Sequence, residues 1–114
     1  MGHKYILFVA NEPTPEREAE YNRWYTEKHV PDMFAFKGMK KATRLRRIGN
    51  APGTSKYMAV YEFDTAEDLA AFPKSAEMEA AIKDFDQMWK DGSFHHIWGA
   101  SYEVIKSWEK EADK

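Results

Sequence analysis

Both faces of the first strand-like segment are apolar, and this constrains the fold more than any other feature of the chain. From Lys4 to Ala10 the side chains alternate, with Tyr5, Leu7 and Val9 on one face and Ile6 and Phe8 on the other. Neither face turns polar, so such a strand must be covered on both sides. The segment Tyr57 to Phe63 repeats the pattern: Tyr57, Ala59, Tyr61 and Phe63 point one way, Met58, Val60 and Glu62 the other. With 114 residues the chain is long enough for one domain that buries about two-thirds of its unfolded surface. We expect that domain over residues 1–106 and a charged tail over residues 107–114.

The remaining elements follow from periodicity and punctuation. Asn11 to Thr14 reads as a turn, with Thr14 as N-cap and Pro15 at the first helical position. A helix is expected from Pro15 to about His29, ended or bent by Pro31, then a helical turn from Pro31 to Phe36 that stops at Gly38. Met39 to Ile48 reads as a second strand, and Gly49 to Gly53 as a hairpin loop before the third. After Asp64 or Thr65 a helix starts, breaks at Pro73 and resumes near Ser75, spacing Met78, Ile82, Phe85 and Trp89 along one side. That stripe reads as core rather than a cofactor site. Asp91-Gly92 ends the helix, and His95 to Lys106 alternates as a fourth strand.

The order is β-α-β-β-α-β, a split βαβ or ferredoxin-like α+β fold with a four-stranded antiparallel sheet and both helices on one face. Two helices cover one face only. The other apolar face must be covered by a second molecule, which predicts a homodimer with sheets packed face to face.

Charge and cysteine content exclude several functions. Seventeen Lys and Arg against 19 Asp and Glu give a net charge of -2, so no global positive field draws in nucleic acid or an anionic membrane. The basic cluster Lys40, Lys41, Arg44, Arg46 and Arg47 is local, and reads as a solvated surface or as an anion contact through Arg44 or Arg46. Cysteine is absent, which removes disulfides, thiolate catalysis and Cys-ligated metal. No apolar run near the N-terminus suits a signal peptide or membrane helix, and a cytoplasmic protein is the expectation.

The stretch Glu20 to Arg44 carries the candidate site. Tyr21, Trp24, Tyr25 and His29 fall on one helical face, which sets an ionisable imidazole in an aromatic stripe. Histidine acts as acid or base near neutral pH, and aromatic walls suit an organic ring. In the structural reading His29 is a buried residue closing a helix. In the functional reading it moves a proton, Asp32 orients its ring, and Tyr25 donates to a substrate oxygen. Trp24, Tyr61, Phe85, His96 and Trp98 are expected to line or support the cavity, with Arg44 as a further binding residue. His95 and His96 are adjacent and point to opposite faces of a strand, so they do not form a metal site together; no metal is expected. By the same alternation Trp98 shares a face with His96.

The helix Tyr21-Asn22-Arg23-Trp24-Tyr25, the turn Glu27-Lys28-His29-Val30-Pro31-Asp32 and the step Gly38-Met39 before a strand resemble the dimeric α/β-barrel superfamily, and within it the EthD-like small proteins. In those relatives the helix ends in a histidine, one residue and a proline, followed by a proline-glycine-aromatic step; here Lys37 and Met39 replace the later proline and the aromatic. The resemblance implies a homodimer whose sheets form a barrel, with a pocket between sheet and helices. Members include cofactor-free isomerases such as muconolactone isomerase, polyketide cyclases, cofactor-independent monooxygenases, haem-using enzymes and non-catalytic ligand-binding domains. Function must therefore come from the site.

The expected function is a cofactor-free isomerase, cyclase or lyase that transfers a proton on a small aromatic, lactone or polyketide-like ring. A cofactor-independent oxygenase on a phenol or quinone, a ligand-binding or stress-response domain, and a haem protein are the alternatives. An axial histidine would suffice for haem. The Asn-Trp-His arrangement of haem-degrading relatives has a candidate amide in Asn11 or Asn22 but no matching Trp and His.

Overall fold

The structure is a computed structural model and describes residues 3–111, apart from the side chain of His95. Four strands, β1 (Tyr5–Pro13), β2 (Met39–Arg46), β3 (Tyr57–Phe63) and β4 (Phe94–Glu103), form one antiparallel sheet in the order β2-β3-β1-β4. The helices α1 (Glu18–Trp24), α2 (Val30–Phe34), α3 (Ala66–Ala71) and α4 (Ala76–Met88) complete a ferredoxin-like α+β arrangement. The inward face of β3 carries Tyr57, Ala59, Tyr61 and Phe63, all buried in the core against Tyr21, Phe72 and Trp89.

Strand β1 runs past the expected turn, because Asn11, Glu12 and Pro13 pair with His96, His95 and Phe94. The two strands shift register between Ala10 and Asn11: Ala10 lies opposite Trp98 and Asn11 opposite His96. Ile97 is the extra residue of a bulge, and beyond it the alternation of β4 is inverted. The expectation that Trp98 shares a face with His96 is therefore wrong. Trp98 and Tyr102 lie on the outer face with Ile6, Phe8 and Met58, while His96 and Gly99 face the helices.

The first helical region also departs from expectation at Pro31. The chain stays helical from Glu18 to Phe34, with a π-helical segment from Tyr25 to His29 in which the Val30 N–H reaches back to the Tyr25 carbonyl. A proline ring in an α-helix meets the carbonyl four residues back, here that of Glu27; a wider turn placed just before Pro31 relieves that contact. The extra residue also keeps the stripe in phase. At about 100° per residue, nine α-helical residues would set Met33 opposite Trp24. With one residue taken up by the wide turn, Tyr21, Trp24, Tyr25, His29 and Met33 are all buried on one side.

Tyr21 centres the aromatic core, its ring 4.9 Å from Phe94, 5.2 Å from Tyr57 and 5.3 Å from Tyr25. Each such pair adds about 0.5–1.5 kcal/mol beyond area burial. Gly38 is buried where a Cβ would come within 2.8 Å of the Asp68 side chain, so the loop into β2 packs tightly against α3. Thr65 and Ser75 cap α3 and α4 by accepting from the N–H of Asp68 and of Met78. No helix among the described residues is long and apolar enough to cross a membrane.

Candidate functional site

Between the sheet and the helices lies a cavity of about 490 Å³. The sheet contributes Leu7 and Val9 of β1 and Tyr61 of β3 to its lining, α2 contributes Met33, and Met78, Ile82 and Phe85 of α4 line it from the helical side together with Phe72. The α4 stripe, expected to be core, is thus the cavity's helical wall, and only Trp89 of its four residues is fully buried. The exposed residues Ile82, Asp86, His96 and Gly99 mark the mouth.

Three polar groups meet inside this apolar space. The Asn11 amide Nδ2 donates to the Tyr25 hydroxyl at 3.1 Å, and the Tyr25 and Tyr61 hydroxyls lie 3.2 Å apart. The two tyrosines own two hydroxyl hydrogens and use one between them, so one remains for a ligand. Desolvation raises the pKa of both, and they stay protonated donors at physiological pH. The Arg44 guanidinium sits 4.7 Å from the centre of the Tyr25 ring and opposes part of that rise.

His29 completes the group. It lines the cavity at only 8 % exposure, stacked on Trp24 with centroids 4.4 Å apart and planes at 21°, and edge-on to Tyr25 at 4.9 Å. Its Nδ1 is buried without a hydrogen-bond partner. Burial lowers its pKa to about 4, against the opposing pull of Asp84 and Asp32. The imidazole is therefore neutral at pH 7 and can accept a proton. Trp24 is fixed in turn, its indole N–H donating to Asp84 at 2.9 Å.

The structure brings Tyr25, His29, Tyr61, Phe85 and His96 to one cavity, with Trp24 behind the imidazole. Three expected residues lie elsewhere. Asp32 pairs with Lys28 on the outer side of the helix and leaves His29 without an orienting carboxylate, since the two are four residues apart on an exposed face. Arg44 is held by the Thr26 hydroxyl at 2.8 Å and the Asn22 side chain at 3.0 Å, outside the cavity lining, with its guanidinium over the rings of Tyr21, Tyr25 and Tyr57. Trp98 is on the opposite face of the sheet, for the bulge reason given above.

Asn11 is the cavity residue that sequence reasoning placed in a turn; its position two residues beyond Val9 on a continued strand is the signal that would have found it. Met33, Phe72, Met78 and Ile82 carry no sequence mark separating a cavity wall from core. Among the described residues no three His, Asp or Glu side chains gather as a metal site would require. The buried Nδ1 of His29 offers no approach to a haem iron.

A family model described as a domain of unknown function (DUF4286) matches residues 4–94. No curated protein matches the chain. Among solved structures the chain is similar to an ethyl tert-butyl ether D (EthD) family protein from Bacillus halodurans, at 20% identity and TM-score 0.67 over 89% of this chain and 99% of that one. It is similar to a dimeric ferredoxin-like protein of unknown function from Thermobifida fusca, at 15% identity and TM-score 0.59 over 91% and 93%. It is also similar to SnoaB, a cofactor-independent oxygenase from Streptomyces nogalater, at 9% identity and TM-score 0.65 over 94% and 99%. At these identities the likeness is one of fold, and it agrees with the ferredoxin-like arrangement of the chain.

Proposed function

This chain belongs to the DUF4286 family, and for it we propose a cofactor-free enzyme that transfers a proton on a small, uncharged aromatic, lactone or polyketide-like ring. The observation that carries the reading is the pairing, in one apolar cavity, of a neutral buried imidazole with two tyrosines that have one hydroxyl hydrogen to spare. His29 takes a proton from a carbon or hydroxyl next to a carbonyl. The Tyr25–Tyr61 pair, fixed by Asn11, donates to the oxygen on which negative charge collects. Return of the proton from the His29 imidazolium to another carbon completes an isomerisation, and its return after ring closure completes a cyclisation. General acid–base catalysis by one group is worth about a hundred- to ten-thousand-fold in rate; an imidazole whose pKa is held at about 4 is a weaker base than a free one, which restricts the step to an activated ring proton.

The lining also selects. No Lys or Arg among the described residues lines the interior, so a carboxylate bound at depth would lose its hydration without gaining a cation. Uncharged rings are the expected ligands.

An oxygenase acting on a phenol or quinone without a cofactor is the second reading. The cavity would deprotonate a phenol by the same His29, and the fold likeness to a cofactor-independent oxygenase favours it. Oxygen uptake during turnover separates the two.

The outer face of the sheet supports a homodimer as well. Leu45, Trp98 and Tyr102 are 46%, 40% and 55% exposed there beside Phe8 and Met58, and a second copy packed face to face would bury them.

The test is a thermal-shift screen of wild type, His29→Asn and Tyr61→Phe against phenols, quinones, neutral lactones, linear polyketide mimics, muconolactone carboxylates and hemin, followed by turnover of each hit. Binding to the native state raises the melting temperature by mass action. We expect shifts from uncharged rings, loss of turnover in His29→Asn and weaker binding in Tyr61→Phe. Full turnover of the hit by His29→Asn refutes the proton-transfer role. Undiminished binding with no turnover by any variant, wild type included, assigns the cavity to storage or sensing.

A further inference from the structure

The cavity lining holds two sets of polar side chains. Asn11, Tyr25, His29 and Tyr61 form the inner set, each at most 8% exposed. Asp86 and His96 form the outer set, and both are exposed at the mouth. The other side chains of the lining are apolar.

Each outer residue is carried to the mouth by its own element. The bulge at Ile97 turns His96 to the cavity side, opposite Asn11, and the missing side chain of Gly99 leaves its ring room. A Cβ at position 99 would stand 3.5 Å from His96 Cε1 and 3.7 Å from Nε2, so the imidazole lies against the place where that side chain would be. Asp86 stands one helical turn after Ile82 on α4, and both line the cavity, so the apolar wall of that helix ends at the mouth in a carboxylate. None of the ion pairs among the described residues uses Asp86 or His96. A carboxylate accepts hydrogen bonds, and an imidazole N–H donates one in either charge state. One acceptor and one donor on the same rim match a hydroxyl group, which donates and accepts at once.

We propose that Asp86 and His96 form an outer subsite for a hydroxyl group, so that the ligand is a neutral ring system with two oxygen functions, one on the Tyr25–Tyr61 pair and one at the mouth. This rests on the ring-binding reading of the cavity given above and is independent of the proton transfer. The cavity volume of about 490 Å³ falls in the range of about 300–1,000 Å³ that holds drug-sized ligands, so fused rings fill it better than a single ring. The Asp86 charge adds to the selection against carboxylates, because a like charge entering the mouth is repelled.

The experiment is calorimetric titration of naphthol and of dihydroxynaphthalenes with one hydroxyl on each ring into wild type, Asp86→Ala, His96→Ala and Tyr61→Phe, with circular dichroism confirming the fold of each. At least one dihydroxy isomer is expected to bind wild type at least about fivefold more tightly than naphthol, an advantage that one or two exposed hydrogen bonds supply. Asp86→Ala and His96→Ala should each cut that advantage to below about twofold and leave the Kd of naphthol unchanged. Tyr61→Phe should weaken both probes alike and keep the advantage. An advantage that survives in both rim variants, no advantage in wild type, or an equal loss of affinity for both probes in the rim variants overturns the subsite and leaves the ring-binding cavity standing. Failure of every probe to bind wild type overturns the ring-binding reading and the subsite together.

Discussion

Lowering the pH from 7 to 5 should destabilise this protein through His29 more than through any other group. The unfolded imidazole takes a proton below its ordinary value of 6.5, whereas burial against Trp24 and Tyr25 holds the folded one at about 4. Between those values the unfolded chain binds the extra proton, so stability falls as pH falls, and above 6.5 the group contributes nothing. At about 1.36 kcal/mol per pH unit the full loss is about 3 kcal/mol, of which about 2 kcal/mol is gone by pH 5. Desolvation is the largest influence on the ring; Lys28 and Arg44 act with it against the imidazolium, and Asp84 and Asp32 oppose it. The carboxyls with lowered pKa, Glu18, Glu20 and Asp91, lose their contribution only below the ordinary carboxylate range, so they do not contribute to the slope between 5 and 6.5. Urea unfolding at half-unit intervals from pH 7.5 to 5 measures the slope in wild type and in His29→Gln. The wild type should lose about 2 kcal/mol across the window and the variant almost nothing. Equal slopes, or an NMR titration of the His29 ring with a midpoint near 6.5, would refute the desolvated-imidazole account.

Three further outcomes are expected. Tyr25→Phe removes the hydroxyl that both Asn11 and Tyr61 use, leaves a buried amide N–H short of an acceptor, and should cost about 1–3 kcal/mol in urea unfolding, with weaker binding of any ring ligand. Gly99→Val should fold with unchanged or higher melting temperature, because a Cβ there meets only His96 at 3.5 Å and the Phe8 carbonyl at 3.6 Å, yet it narrows the cavity mouth and should weaken ligand affinity at least about tenfold by calorimetry. Deleting exposed Glu27 turns the wide helical segment into an α-helix, sets the Pro31 ring against the Thr26 carbonyl, and should cost about 3 kcal/mol. Adding Pro31→Ala to that deletion should recover most of the loss, and an equal cost with and without proline would sink the link between Pro31 and the wide turn.

That link shows why the fold was more legible in the sequence than the site. Tyr57 to Phe63 alternate over a whole strand, and a one-residue slip would have turned every buried side chain to the other face, so the register was written many times over. The element order β-α-β-β-α-β followed from periodicity and punctuation, and the face left uncovered pointed to a second copy. The site depends on two single-residue irregularities, and each breaks the period from which positions are counted. The bulge at Ile97 sends Trp98 to the outer face and leaves His96 over Asn11; the wide turn from Tyr25 to His29 brings the imidazole onto Trp24 and leaves Asp32 paired with Lys28. In an α-helix Trp24 and His29, five residues apart, would stand about 140° from each other. A proline at position 31 predicts that the helix ends or bends there, yet the same lack of an N–H can be met by widening the helix, and the need to bury Met33 beside Trp24 decides for widening. Aromatic residues at Tyr21, Trp24 and Tyr25 fix which side faces inward, proline fixes where the extra residue must go, and the imidazole is carried into the cavity by both. A chain with the same aromatic stripe and no proline after the histidine would have a straight helix there, with its imidazole turned away from the tryptophan that now holds it neutral.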